Sequence, residues 1–497
     1  MPYAKTAVRF TCGADLLHSA FKIAVADLNA NIKPFKGGLL ERKKPVFISG
    51  AWYSHPWTRD NAYNTWNGGG LLYPEIARDT LLAVIRKQDG KLRIGGQYWD
   101  CIAWATGAWA FYCYTADRGF LKIALDAIRN TLAHFEATER DRNTGLFMGQ
   151  PSYADGVSAY PENYRIAGHS DGNLESATVI ADGETKVTMK SLSTNCLYVN
   201  AYRVAADMTD VLGLPAGQAK DFRAKAEAVK QAINCHLWLK NTGRYAYFLD
   251  RNGLDVTQES LGAAFAILFG VADGAQADAL FQNQHVTRYG VPCLWPQYPE
   301  YHSADNMTYG RHTGTVWPMQ MGFWAQAAAM QRRLDVFSAE MFSLATLAVR
   351  SGQFSEIYHP LTGEPYGGLQ VIEEEQLFNP LTGEPYGEFQ TINGRRFYLT
   401  ASKPQTTWGA TGFMSMVFQG LFGMRFQPEG IGFEPLVPEG LGELSLSGIR
   451  YRDMDLSIRV QGRGKTVKSF AINQKEQEQP WLPGVLKGRI RLSIEVK

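Results

Sequence analysis

The stretch GTVWPMQMGFWAQAAAMQ (314–331), the pair Arg332-Arg333 and then LDVFSAEMFSLATLAVRS (334–351) read as a helical hairpin, two helix-length segments joined by two residues. Helical periodicity recurs along the chain. Leu17, Phe21, Ala24 and Leu28 share one face, as do Phe120, Ala124, Ala127 and Phe135. The pattern predicts helices near 14–31, 59–70, 74–88, 98–115, 119–137, 188–212, 216–238, 257–269, 275–284, 314–331, 334–351 and 404–422. Connections around 71–73, 116–118, 213–215, 270–274 and 332–333 are hairpin-short, while those around 32–58, 89–97, 138–187, 239–256, 285–313 and 352–403 are long. Antiparallel neighbours place alternate connections at opposite ends, so every long one emerges on the same face. The expected fold is mainly α, an (α/α)6 barrel (a six-hairpin toroid) over residues 1–424. No period of 30 to 45 residues supports an open helical solenoid instead.

The pattern changes after Gly423. Leu456, Ile458 and Val460 alternate with polar residues, as do Ile490, Leu492, Ile494 and Val496, which predicts a small β-sandwich domain over 425–497. Gly464-Lys465-Thr466 matches the end of a phosphate loop, but Arg459 stands where the first glycine is required and no helix follows. At about 150 residues per domain, length alone suggests roughly three domains. The loop rhythm reduces these to one large unit with a small appendage.

Charge narrows the partners. Lys plus Arg is 50 and Asp plus Glu is 48, and the only basic cluster is Arg42-Lys43-Lys44, so no field exists to hold a nucleic acid or a membrane surface. Met1 to Phe10 lacks the apolar core of a signal peptide, and no 18-residue apolar run occurs. Cys12, Cys101, Cys113, Cys196, Cys235 and Cys293 are scattered, without Cys-x-x-Cys spacing. Buried free thiols in a reducing compartment fit best, and the expected location is cytoplasmic. No metal, cofactor or serine-hydrolase motif is present, and no cofactor is expected. The sequence carries no signal for an oligomeric state.

Polar chemistry gathers in the long loops. The first ends in Trp57-Thr58-Arg59-Asp60-Asn61, and the second holds Gly95-Gly96-Gln97-Tyr98-Trp99-Asp100. The third contains Pro151 to Gly156, with Asp155, and then Tyr160-Pro161-Glu162-Asn163-Tyr164. The fifth supplies Tyr309-Gly310-Arg311-His312 and Gly314 to Pro318, with Trp317. The sixth has Phe354-Ser355-Glu356-Ile357-Tyr358, and Gln405 and Trp408 lead into the last helix. Carboxylates, guanidinium groups and amides interleaved with Trp and Tyr suit a small carbohydrate: the former bond its hydroxyls, and the rings stack on its C–H faces. Cleaving a glycosidic bond needs one carboxyl group as acid and one carboxylate acting from the other side. Each element also has a plain structural use. Arg59-Asp60, Gln97 and Asp100 can cap helices, Asp155-Gly156 can form a turn, His312 can be a buried hydrogen-bonding residue, and Trp317 and Trp408 can be core. Glu356, set among Phe354, Ile357 and Tyr358, is the hardest to assign to structure alone. The same composition leaves three other readings open. They are a sugar phosphorylase, a sugar 2-epimerase (for which the nine histidines do not cluster) and a non-catalytic carbohydrate-binding protein.

On Trp57 to Asn61, Gly314 to Pro318, Phe354 to Tyr358 with Thr362-Gly363-Glu364, and Gln405 to Trp408, the sequence resembles the (α/α)6-barrel glycoside hydrolases. The nearest are family 63 and its glucosylglycerate- and mannosylglycerate-hydrolysing bacterial relatives, with glucoamylases and trehalases more distant. The resemblance spans essentially the whole chain. It implies an inverting exo-acting hydrolase releasing a terminal hexose, α-linked glucose first among them. It implies Glu356 as the general base and Arg59 and Asp60 as holders of the sugar hydroxyls, with Gln97 and Asp100 beside them. Trp57, Asn61, Trp99, Tyr160, His312, Trp317, Gln405 and Trp408 complete the expected contacts. The family's acid motif is not cleanly reproduced; Asp155 stands at about the right place, with Glu162 as the other candidate. Inversion would set the two carboxyl groups about 6.5–9.5 Å apart. Within loop six, Pro360 to Gly367 recurs as Pro380 to Gly387, which reads as a local duplication folded as two similar turns. Aligning the copies puts Gln376 opposite Glu356, so only the first copy supplies the base.

Overall fold

The computed structural model describes residues 6–161, 164–168, 179–181, 187–303, 307–370, 387–392 and 394–497. Twelve long helical segments are found among them. They are α1 (Asp15–Ala30), α2 (Thr58–Asn64, continued by Thr65–Gly69 and Gly70–Leu72), α3 (Pro74–Leu82), α4 (Trp104–Thr115), α5 (Arg118–Thr138) and α6 (Leu192–Leu212). The rest are α7 (Ala216–His236), α8 (Ser260–Leu268), α9 (Gly274–Asn283), α10 (Pro318–Met330), α11 (Leu334–Ser351) and α12 (Thr407–Ser415, continued by Met416–Leu421).

The even-numbered helices close a ring: α2 packs on α4, α4 on α6, α6 on α8, α8 on α10, α10 on α12, and α12 back on α2. Their sequences fit that position, since α10 is buried from Pro318 through Ala329 on every side. Small residues set the spacing. A Cβ on Gly322 would stand 2.8 Å from the Cα of Gly412, and one on Gly107 would stand 2.7 Å from the Cα of Ala62. The odd-numbered helices lie outside and bury one stripe each: α1 covers α11 and α12, α5 covers α4 and α6, and α7 covers α6. Along α5 that stripe includes Phe120, Ala124, Ala127 and Phe135.

Two predicted helices are shorter than expected, 98–115 starting only at Trp104 after a 3₁₀ turn at Cys101–Ala103. The segment 74–88 stops at Leu82, and Ile85–Gln88 pairs instead with Lys91–Ile94. Asp89 and Gly90 both take positive φ, 49° and 76°, the conformation of the tight hairpin turn that Asp-Gly favours. Each long connection ends at the N-terminus of an inner helix, so these segments collect at one end of the ring. Several carry two- or three-stranded hairpins of their own.

Beyond the last helix the chain is strand-rich. A six-stranded sheet runs in the order Arg9–Thr11, Leu444–Tyr451, Met454–Gly462, Gly488–Val496, Val467–Ile472, Lys475–Glu476. A three-stranded sheet joins Met424–Gln427, Gly430–Phe433 and Trp481–Pro483. The expected alternation is visible: Leu456, Ile458 and Val460 are buried and register with buried Ile490, Leu492 and Ile494 on the parallel neighbour. The sheets touch through Phe433 and Phe470, centroids 5.4 Å apart. Arg9–Thr11, which the sequence reading placed with the helical unit, is instead the edge strand of the C-terminal sheet. It pairs there antiparallel, Arg9 opposite Ser447 and Thr11 opposite Ser445, while Phe10 packs back on the helical unit between Phe21 and Phe422, 5.4 and 6.1 Å away. Gly464, of the phosphate-loop match, pairs in the backbone with Val437.

Candidate active site

A cavity of about 250 Å³ opens at the long-loop end of the ring. Its walls come from segments that are far apart in sequence and tied together by the backbone. The amide of Thr406 donates to Phe354 O (2.8 Å), Glu356 N–H donates to Lys403 O (2.9 Å), and Thr407 N–H donates to Ser49 O (3.0 Å). Ser402 Oγ accepts from Ile357 N–H (3.0 Å) and donates to Ile357 O (2.8 Å). The strand-like pairing of Val316 with Tyr358 brings the residues before α10 to the same place.

Glu356 is 2% exposed and both its oxygens are engaged. Tyr53 donates its hydroxyl to Oε1 at 2.6 Å, and Arg311 donates to Oε2. Lys403 Nζ stands behind, donating to the Tyr53 hydroxyl at 2.9 Å and lying 4.1 Å from its ring centroid. Burial alone would raise the Glu356 carboxyl; Arg311, Lys403 and the Tyr53 hydroxyl outweigh it and hold the group below its ordinary value. Glu356 is therefore held as a buried carboxylate.

Asp155 occupies another part of the wall, with about a third of its side chain exposed. Gln97 Nε2 donates to Oδ2 at 3.3 Å, Arg59 approaches the same oxygen at 3.7 Å, and His312 Nε2 lies 3.5 Å from Oδ1. Burial would raise Asp155, but the bond from His312 and the charge of Arg59 push it well below the ordinary carboxylate range. Burial lowers His312 itself. Asp60 differs: burial dominates over Arg59 and Ser49 and pushes it up to about 7. The cavity thus holds two firmly ionised carboxylates and one poised near neutrality.

Arg59, 7% exposed, organises the opposite corner. It donates to Gln97 Oε1 at 2.9 Å and to Asp100, and its guanidinium lies 5.7 Å from the centroid of Trp408. Trp317 meets Trp408 edge-on at 5.9 Å and stacks on His312 at 5.2 Å, with its Nε1 donating to Arg311 O at 3.1 Å. Both tryptophans are nearly buried, so each presents only part of a ring to the cavity.

Of the residues singled out from sequence, Trp57, Arg59, Asp60, Gln97, Asp155, His312, Trp317, Glu356 and Trp408 line this cavity. Five others do not reach it. Asp100 lies behind Arg59 as its buried counter-ion. Asn61 turns back on its own helix, donating to Trp57 O at 2.8 Å. Trp99 is a core residue, 1% exposed and packed on Gly149. Tyr160 is fully buried, donates to Ala154 O at 2.6 Å and stacks on Tyr164 at 5.5 Å. Gln405 turns to the outer layer, where its carbonyl accepts from Asn31 at 2.9 Å and its side chain bonds Asp27. Glu162 and Gln376 lie outside the described residues, as does most of the second copy of the duplicated turn. The first copy is a bracing turn, with Tyr366 donating its amide to Ile357 O (3.0 Å) and its hydroxyl to Tyr309 O (3.1 Å).

The cavity also uses Tyr53, Tyr153, Gly156, Arg311, Gln370 and Lys403, which the sequence reading did not select as site residues. Tyr153, Gly156 and Arg311 stand within the quoted motifs. Gly156 is dictated by space, since a Cβ there would fall 2.6 Å from the His312 ring. Tyr53, Gln370 and Lys403 carry no local signal, because only the fold of the first loop, the pairing of Leu369–Gln370 with Arg395–Thr400 and that of 356–357 with 402–403 bring them in. Among the described residues no cluster of His, Cys, Asp and Glu is suited to hold a metal ion.

Residues 47–379 match the profile of the mannosylglycerate hydrolase MGH1-like glycoside hydrolase domain. No curated protein matches the chain by sequence. Among solved structures, a protein described as a sialidase superposes with a TM-score of 0.68 at 16% identity over 95% of this chain and 40% of its own. The GH78 family rhamnosidase of a Bacillus species gives 0.61 at 13% identity, over 100% of this chain and 44% of its own. The GH63 mannosylglycerate hydrolase from Thermus thermophilus gives 0.54 at 14% identity, over 80% of this chain and all of its own. The chain therefore spans less than half the length of the first two proteins. At these identities the likeness is one of fold.

Proposed function

The chain belongs to the mannosylglycerate hydrolase MGH1-like glycoside hydrolases, and from that premise we propose that it releases a terminal hexose, α-linked glucose, from a small glycoside with inversion at the anomeric carbon. The ring of even-numbered helices inside the odd-numbered ones is read as the (α/α)6 barrel of such enzymes. The two C-terminal sheets are read as an appended β-sandwich that borrows Arg9–Thr11. The observation that supports catalysis most is Glu356, a buried carboxylate held by Tyr53 and Arg311 in the same small cavity as Asp155.

In this reading Glu356 takes the proton of a water that attacks the anomeric carbon, while Asp155 protonates the departing glycosidic oxygen from the other side of the sugar. Arg59, Asp60 and Gln97 bond the hydroxyls, and Trp57, Trp317 and Trp408 border the ring faces. About 250 Å³ suits one terminal sugar better than the middle of a polymer. The wall mixes Arg59, Arg311 and Lys403 with Asp60, Asp155 and Glu356 and so carries no single-signed field, which suits a neutral glycone. The six unpaired cysteines, four of them buried, agree with a reducing, cytoplasmic setting.

Asp155 must acquire a proton to act as the acid, and its neighbours oppose that in the free cavity. A glycosidic oxygen entering between Asp155 and His312 would remove the bond that most depresses it. The test is hydrolysis of aryl α-glucosides and natural disaccharides, with NMR of the first-formed anomer. The β-anomer should appear first from an α-linked substrate. Glu356→Gln and Asp155→Asn should each lower kcat by about 10²–10⁴-fold. Near-normal hydrolysis by Glu356→Gln refutes the base assignment, and retention of configuration refutes the single inverting displacement by water. An active Asp155→Asn alongside an inactive Glu162→Gln moves the acid to Glu162.

A further inference from the structure

Glu356 is held by a chain of donors rather than by a single neighbour. Lys403 Nζ donates to the Tyr53 hydroxyl at 2.9 Å, and that hydroxyl donates to Glu356 Oε1 at 2.6 Å. The order of donation matters. A phenol has one proton and can turn it either toward a carboxylate or away from it, whereas an ammonium group can only donate. With Lys403 occupying a lone pair of the phenol oxygen, the phenol proton is left for Glu356. The two links also polarise one another in the same sense, which strengthens both in a buried site.

We propose that Lys403 is a positioning residue for Glu356, acting through Tyr53: it fixes the direction of the Tyr53 hydroxyl and so holds one carboxylate oxygen in place. The inference rests on the reading of Glu356 as the base. The backbone supports it independently, because Glu356 N–H bonds the carbonyl of Lys403 itself (2.9 Å) and Ser402 clasps Ile357 through both of its backbone groups. Loop six and the segment entering α12 are thus registered so that carboxylate, phenol and ammonium arrive together.

The charged and titratable groups around Glu356 come from four segments. Tyr53 belongs to the first long loop, Asp60 to α2, Arg311 and His312 to the loop before α10, and Lys403 to the loop before α12. Arg311 already neutralises the other oxygen, so the role of Lys403 is separable from that of Arg311: each serves a different carboxylate oxygen. Burial lowers Lys403 while Glu356, Asp155 and Asp60 oppose that, which keeps its charge dependent on the carboxylates it faces.

The experiment is the pH profile of kcat/KM for Lys403→Met, Lys403→Arg, Tyr53→Phe and the double variant Lys403→Met/Tyr53→Phe, with Glu356→Gln as the reference. The limb set by Glu356 reports ionisation of the base in the free enzyme. Removing the ammonium group should move that limb to higher pH and lower kcat on the order of tenfold, as expected for losing one charge-assisted contact in a buried site. Lys403→Arg keeps a cationic donor and should restore the limb. The double variant should lose no more kcat than Tyr53→Phe alone, since Lys403 orients the carboxylate through that hydroxyl, while the direct charge of the ammonium group on Glu356 affects only the position of the limb. Should Lys403→Met not fold, Lys403→Arg in the Tyr53→Phe background decides the question, because the substitution must then have no further effect. An unmoved Glu356 limb in Lys403→Met, or additive losses of kcat in the double variant, overturns the proposal while Glu356→Gln is inactive. An active Glu356→Gln overturns the base reading instead, so the two failures are distinguishable.

Discussion

Replacing Arg59 by methionine while leaving Asp100 in place strands a carboxylate whose side chain is 1% exposed and whose partner, 8% exposed, is the guanidinium just removed. Breaking one side of a buried pair costs about 3–5 kcal/mol, because the remaining charge has neither water nor counter-ion. With an unfolding entropy of about 2.1 cal/mol/K per residue, a 497-residue chain unfolding as one unit loses about 1 °C of Tm per kcal/mol. Arg59→Met should therefore lower Tm by about 3–5 °C, and by more if the helical unit melts alone. The companion is Arg59→Met/Asp100→Asn, which removes both charges; it should recover at least half of the loss, since deleting a whole buried pair is often close to neutral. The loss in the single variant should also shrink toward acidic pH, where Asp100 can take a proton. Both variants lose a residue of the cavity wall, so calorimetry rather than activity is the assay. A single variant as stable as the parent, or a double variant no better than the single one, would refute the view that Arg59 and Asp100 are one electrostatic unit.

Two further outcomes follow from the ionisation pattern. In the free enzyme His312 and Arg59 hold Asp155 below the ordinary carboxylate range, so the limb it sets in kcat/KM should lie at lower pH than the limb it sets in kcat, where bound substrate displaces those neighbours. Coincident limbs in a steady-state comparison would sink the idea. Away from the cavity, Glu259 and Glu340 are buried and pushed up to about 8, chiefly by desolvation. An acid whose folded pKa is raised loses stability as pH climbs from its unfolded value near 4.5 to that point, so Tm should fall across this window and level off above pH 8. Glu340→Gln should flatten the fall, and an unchanged slope would mean that Glu340 titrates normally.

Much of the helical layout was legible because period and connection length are local properties. The pairs flanking Ala116, Gly213 and Arg332-Arg333 lie where short connections place them. Boundaries slipped where a turn signal competed with periodicity, as at Asp89-Gly90, or where a proline marks the true start, as Pro318 does for α10. In the site, sequence reasoning found residues that announce themselves by type within a motif: Glu356 amid apolar neighbours, Arg59-Asp60 at a helix start, Trp408 at another. It did not separate Trp99 and Tyr160 from the rings that border the cavity, since a buried aromatic and a cavity-wall aromatic look alike in one dimension. Lys403 was invisible for the opposite reason. A lone lysine between Ser402 and Pro404 reads as a solvated loop residue until hydrogen bonds between distant backbones carry it to Tyr53.

The strand Arg9–Thr11 has a consequence for how the chain is made. Phe10 opposes Leu446, so this strand is synthesised long before the residues that pair with it. Throughout elongation that strand waits with an unsatisfied edge and an apolar ring that the finished protein leaves only 2% exposed. The ring of helices can assemble as it emerges, but the clasp closes only when the C-terminal sheet arrives. A ribosome stalled before the C-terminal sheet would therefore hold a helical body whose strand Arg9–Thr11 is still unfastened, a natural handle for chaperones or proteases that sort unfinished chains.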